Sequence, residues 1–178
     1  MYNPQEDSHL ILKHINEVAK GNVLEIGTGS GILALEAAKY AEEVIATDIQ
    51  EEVIKKLIPF QKYNLKFIKS DLFSSISKTQ KFDLIICNPP YLPEHRGEDN
   101  VTKIEVSGGK QGFEFVEKLL TQAKNHLKPE GKILLLFSSL TNKDKVDEII
   151  KQNNYEFNLI DEQSFLFEKL YVYLIKKK

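Results

Sequence analysis

The sequence predicts an α/β fold: a doubly wound, mostly parallel seven-stranded sheet with helices on both faces and an antiparallel hairpin at its end. Three observations carry this reading. Strand-like apolar runs alternate with helix-period segments along most of the 178 residues. A glycine-rich turn follows the first apolar run directly. The chain then closes on two strand-like runs with no helix-length segment between them. Crossovers in a parallel sheet of this kind are right-handed.

In order, residues 7–20 read as a helix, with Asp7 or Ser8 to cap it, Ile11, Ile15 and Val18 on one face, and Gly21 to end it. "NVLEIG" (22–27) is a short buried strand leading into the glycine turn and the alanine-rich helix "ILALEAAKYA". "EVIATD" (43–48) is the second strand, and "EEVIKKLI" the helix after it, stopped at Pro59. "LKFIKSD" (65–71) and "FDLIICN" (82–88) follow as strands. After a polar loop come the helix "GFEFVEKLLTQAKNHL", a turn at "PEGK", the strand "KILLLFSS" (132–139) and the helix "NKDKVDEIIKQNN". The hairpin then occupies the remainder. No repeat, linker or second domain interrupts this order, so residues 1–178 read as one domain.

Composition narrows the partners. The net charge of -2, with 42% apolar and 28% charged residues, fits an ordinary globular chain and disfavours stable nucleic-acid binding, which calls for a basic face. The one cysteine, Cys87, lies inside an apolar run and reads as a small buried hydrophobe; neither a disulfide nor a Cys-rich metal site can be built. His9, His14 and His126 lack metal-ligand spacing. The start "MYNPQEDSHL" has no signal-peptide pattern and no apolar run reaches membrane-spanning length, so the expected location is cytoplasmic.

The glycine turn indicates a cofactor. Gly27, Gly29 and Gly31 follow the first strand as G-x-G-x-G, not the G-x-G-x-x-G of dinucleotide sites. Asp48 ends the second strand at the ~20-residue distance from which an acid accepts ribose hydroxyls. Glu25, beside the turn, would repel a pyrophosphate but suits a positively charged ligand. S-adenosylmethionine has an adenosine, no phosphate, a sulfonium and an ammonium, and matches both acids. Asp71 ends the third strand, where it reads either as an adenine contact with the Leu72 backbone or as an ordinary turn former.

The fourth strand ends on Asn88-Pro89-Pro90-Tyr91. Ligands of open parallel sheets sit outside the carboxyl ends of the strands. There the Asn88 oxygen and the Pro89 carbonyl can each accept one N–H of a planar –NH2, turning its remaining lone-pair direction toward a methyl donor. The prolines fix the turn and the Tyr91 ring packs on the planar group. Such a nitrogen is too weak a base to be deprotonated by a side chain, so catalysis falls to positioning and charge stabilisation. An amide and an aromatic amine satisfy this clamp equally.

"NPPY" behind a cofactor fold of this kind resembles amino-group methyltransferases of the class I, Rossmann-like, S-adenosylmethionine-dependent group. "YNPQEDSHLIL" resembles the Y-x-P-x-E-D-[ST] start of one branch, and "GGKQGFEFVEKLL" its G-G-x-x-G segment. Together they are similar to the archaeal and eukaryotic HemK-like enzymes, which methylate the glutamine of the GGQ motif in class I peptide-chain release factors. The resemblance runs over nearly the whole sequence and implies a protein without the extra amino-terminal domain that bacterial relatives carry.

The resemblance implies S-adenosylmethionine held by Ser8, Glu25, Gly27, Thr28, Gly29, Gly31, Asp48, Ile49, Asp71, Leu72 and Asn88. It places the glutamine at Asn88, Pro89, Pro90 and Tyr91, and gives Pro4, Glu6 and Asp7 the ordering of the site mouth. It also implies a small zinc-binding activator subunit on an edge strand, with "LKFIKS" as the candidate, although Lys66 and Lys69 there also fit an ordinary blunted edge. The family's tryptophan before the glycine pair is replaced by "IEVSGG".

The competing readings are an adenine-N6 methyltransferase on DNA or RNA, a protein lysine methyltransferase, and a cofactor-binding subunit without turnover. His95 and Arg96 read as a solvated loop at the substrate mouth, and Lys176-Lys177-Lys178 as a solvated tail.

Overall fold

The structure, a computed structural model, describes residues 6–89, 92–93 and 107–178. The residues Pro4, Pro90, Tyr91, His95 and Arg96 lie outside the described set, as does the side chain of Glu6.

Helix α1 (Glu6–Leu12) and the single turn α2 (Ile15–Val18) precede strand β1 (Asn22–Ile26). Then follow α3 (Ile32–Ala37), β2 (Glu43–Asp48), α4 (Glu51–Leu57), β3 (Leu65–Lys69) and β4 (Phe82–Cys87). Short strands β5 (Leu92–Pro93) and β6 (Ser107–Gly109) pair in parallel. The rest is α5 (Glu114–Ala123), β7 (Leu127–Ser138), α6 (Lys143–Gln152) and the hairpin β8 (Tyr155–Ser164) and β9 (Lys169–Lys177). The main sheet has the seven strands that the alternation predicts, and their order is β3-β2-β1-β4-β7-β9-β8. The first five pair in parallel and the last two antiparallel.

Side-chain alternation along these strands makes two cores. Leu24, Ile26, Ile85, Cys87, Ile133 and Leu135 face α5 and α6. Val23, Leu84, Ile86, Leu134 and Leu136 face α1, α3 and α4. Both faces of the central strands are dry, which is why they read as continuous apolar runs.

Two expectations change. The helix expected over 7–20 breaks at Lys13-His14, where the His14 N–H bonds only three residues back, to the Ile11 carbonyl. The His14 ring Nε2 lies 3.0 Å from Asp161 Oδ2, so a tertiary contact holds the break. The "PEGK" turn is absorbed into β7 as a bulge. Pairing jumps from Phe82↔Leu127 to Leu84↔Lys132, and a Cβ on Gly131 would stand 2.7 Å from the Phe82 carbonyl oxygen.

Candidate active site

Strand β1 pairs with β2 on one side and β4 on the other, so the sheet changes winding direction between β1 and β4. Ile26 is level with Cys87, which brings Gly27 and Asn88 to neighbouring strand ends at that switch point. Asp48, at the end of β2, completes the row.

The glycine turn is joined to β2. The N–H groups of Gly27 and Thr28 both donate to the Thr47 carbonyl, at 2.9 and 2.8 Å. The Gly29 N–H donates to Asp48 Oδ2 at 3.0 Å, and the Gln50 N–H to Asp48 Oδ1 at 2.9 Å. These donors are thereby committed to protein acceptors. The turn is consequently not a ring of free N–H groups of the kind that cradles phosphates.

Gly27 and Gly31 are glycines for different reasons. Both adopt left-handed φ, +76° and +79°. A Cβ on Gly27 would meet nothing within 4 Å, so the backbone faces open space there. At Gly31 it would strike Leu57 Cδ2 at 2.9 Å, so packing of α3 against α4 accounts for that residue.

Glu25 is 2% exposed, and Thr28 Oγ1–H donates to its Oε2 at 2.6 Å. Burial pushes its carboxyl up to about 8; the bonds from Thr28 and from the Ala34 backbone pull down, and the Asp48 charge pushes up further. Burial and the Glu25 charge likewise raise the Cys87 thiol well above its ordinary range, which makes it inert.

Asp71 is exposed in the turn after β3, and Leu72 is buried with a left-handed φ of +47°. Such a conformation is uncommon outside glycine and costs on the order of 1–2 kcal/mol. Ile49 is 45% exposed beside Asp48, an apolar side chain open to solvent next to the acid.

Asn88 is half-buried and Pro89 buried. The Asn88 Nδ2–H group donates to Asp7 Oδ2 at 3.0 Å, while Oδ1 is shut off from solvent with no donor among the described residues. An unmet buried acceptor of this kind costs roughly 1–3 kcal/mol. Asp7 and Ser8 are both buried, so the first turn of α1 is part of the site. The glycine pair that ends β6 is followed by a locally stitched turn: the Gln111 N–H bonds both Glu114 carboxylate oxygens, and Gly109 has φ +112°. Among the described residues, no group of His, Cys, Asp and Glu could hold a metal ion.

The methyltransferase small domain family matches residues 4–164. The chain belongs to this family. A Methanocaldococcus jannaschii protein named as an N5-glutamine methyltransferase is 34% identical, over 97% of this chain and 89% of its own. The release factor glutamine methyltransferase of Lactococcus lactis is 36% identical over 67% of this chain but 48% of its own, so this methyltransferase spans about half of that relative. Among solved structures, a chain of the E. cuniculi Mtq2–Trm112 complex, responsible for methylation of the termination factor eRF1, superposes with a TM-score of 0.79 at 21% identity. It covers 99% of this chain and 98% of that one. The ribosomal protein L11 methylase of Lactobacillus delbrueckii gives 0.71 at 22% identity, over 99% and 81%. At those identities the two structures establish the fold, which serves more than one acceptor.

Proposed function

We propose that the chain methylates the side-chain amide nitrogen of a protein glutamine, the GGQ glutamine of a class I peptide-chain release factor, in the cytoplasm. The observation that carries this reading is the Asn88 amide: fixed through Nδ2, with a buried Oδ1 that has no donor among the described residues, at the sheet's switch point. An acceptor –NH2 supplies the missing donor. The M. jannaschii relative's name and the Mtq2–Trm112 fold support glutamine and release factor as the acceptor.

The residues present fit S-adenosylmethionine. Open space over Gly27 admits the ligand, the buried Glu25 carboxyl suits its ammonium, and the Asp48 carboxylate ends β2 where an acid accepts ribose hydroxyls. Ile49 offers an apolar face to the adenine, and Asp71 with the Leu72 backbone meets its edge. Thr28 and Gly29 belong to the same turn, Gly31 precedes α3 behind it, and Ser8 on α1 is assigned to the cofactor by sequence. When bound, S-adenosylmethionine would supply a sulfonium methyl to the acceptor nitrogen, its sulfur keeping the electron pair of the broken C–S bond while the nitrogen's proton would leave to solvent.

Asn88 and the Pro89 carbonyl orient the amide and stabilise the positive charge developing on its nitrogen. Pro90 and Tyr91 are assigned the same clamp by sequence. A small zinc-binding activator subunit is proposed on β3, the outer strand of the sheet. Ile58 and Phe60, each at least half exposed, and Tyr63, at 97%, add apolar surface next to that edge.

Purified chain, with and without such a partner, is to be assayed for methyl transfer to release factor. Transfer to the wild-type factor and none to the variant with the GGQ glutamine replaced is expected. Undiminished transfer to that variant would exclude the glutamine.

A further inference from the structure

The Asn88 amide has a partner that the reaction above leaves unused. Its Nδ2–H donates to Asp7 Oδ2 at 3.0 Å, across 81 positions of sequence. The other carboxylate oxygen of Asp7, Oδ1, accepts the Ser8 backbone N–H at 2.6 Å, and Asp7 is 5% exposed. We propose that Asp7 is a positioning residue for methyl transfer, setting the flip and the polarity of the Asn88 amide so that Oδ1 faces the acceptor N–H. This rests on the reading of Asn88 as the acceptor clamp.

An ionised carboxylate only accepts hydrogen bonds, so one of the two amide orientations is excluded. The reverse flip would set Asn88 Oδ1 against Asp7 Oδ2 with no proton between them. It would also turn the NH2 group toward an acceptor nitrogen that itself carries hydrogens, donor against donor. A free asparagine would populate both orientations; Asp7 selects the productive one before the substrate arrives.

Polarity follows from the same contact. A hydrogen bond donated to a charged acceptor is stronger than a neutral one and polarises the donor group. Electron density shifts toward Oδ1, where the acceptor nitrogen becomes positive. The first turn of α1 holds Asp7 in place: Ser8 N–H anchors its carboxylate, and the buried Leu10 and Ile11 pin the helix to the core.

The test compares D7A, D7N, N88A and the double variant D7A/N88A. In D7A, kcat should fall on the order of ten- to a hundredfold, the usual cost of losing an outer group that orients a reacting one. Cofactor affinity and the KM for release factor should stay near wild type, while the unfolding midpoint falls with the loss of the two hydrogen bonds that Asp7 accepts. D7N keeps an accepting oxygen and loses the charge, so its kcat should lie between those of D7A and wild type. In the N88A background, D7A should have no further effect, because the two act as one unit. Wild-type kcat in D7A, or an equal fractional loss with and without Asn88, overturns the proposal. Should D7A not fold, wild-type kcat in D7N overturns it instead. A readout without turnover is the Asn88 side-chain NH2 resonance, expected protected from exchange in the wild-type chain, less protected in D7N and free in D7A. A free-amide resonance in the wild-type chain contradicts the proposal. A protected resonance in a chain that transfers nothing to release factor sinks the proposed substrate and leaves Asp7 in place.

Discussion

Glu25 sets burial against ligand charge. With its carboxyl raised to about 8, it is mostly neutral at pH 7 in the free chain. A bound cation favours the ionised form, so binding expels a proton. Titration calorimetry of S-adenosylmethionine at pH 7, in buffers of different ionisation enthalpy, should show net proton release that E25Q abolishes. The sign for stability is opposite. The folded value lies above the ordinary 4.5 of a glutamate, so the stabilisation is complete below about 4.5 and is lost as pH rises through about 8. At pH 8, E25Q should therefore melt a few degrees higher than wild type while binding cofactor worse. Asn88→Ala removes the open acceptor and should cost on the order of 10²–10³ in kcat, with cofactor binding retained. Substantial turnover by that variant would remove Asn88 from the reaction.

At the scale of elements, the glycine turn separates binding from folding. G27A meets only the strain of its positive φ, on the order of 1–2 kcal/mol, and puts a methyl group into the open space over the turn. It should fold and lose most cofactor affinity. G31A meets the same strain plus Leu57 at 2.9 Å, and should destabilise by roughly 2–4 kcal/mol, read as a lower denaturant midpoint. A stable G31A chain would contradict this. The glycine turn, its acids and the strand ends were legible in sequence because each has a local signature. The break at Lys13-His14 was not, because its contact lies at Asp161, in the terminal hairpin. Nor was the left-handed Leu72, which has none of the usual residue preferences for that conformation. The distinction between Gly27 and Gly31 also needed three dimensions, since the two read alike along the chain.

At the scale of the whole molecule, strand alternation and the terminal hairpin were enough to foresee the seven-stranded sheet and its antiparallel end. What the pattern could not show was which strand ends at the switch meet the first turn of α1. Asp7 reached the sequence reading as a helix cap and as part of a start motif at the site mouth, with no sign that it bonds Asn88. At the outer edge, Lys66 of β3 pairs with Glu43 of β2 and Lys69 with Glu51 at the start of α4, so both cations are held by the chain's own acids. If a partner adds to β3, Tyr63→Glu should weaken its binding at least tenfold without altering S-adenosylmethionine affinity, as measured by calorimetry. Unchanged partner affinity would move the partner elsewhere.

The central claim, a methylated glutamine in the release factor, is tested most directly by mass spectrometry of that factor from cells with and without this chain. The account predicts one methyl group on the GGQ glutamine only where the chain is present. A glutamine equally methylated in its absence, or unmethylated in its presence, would contradict it.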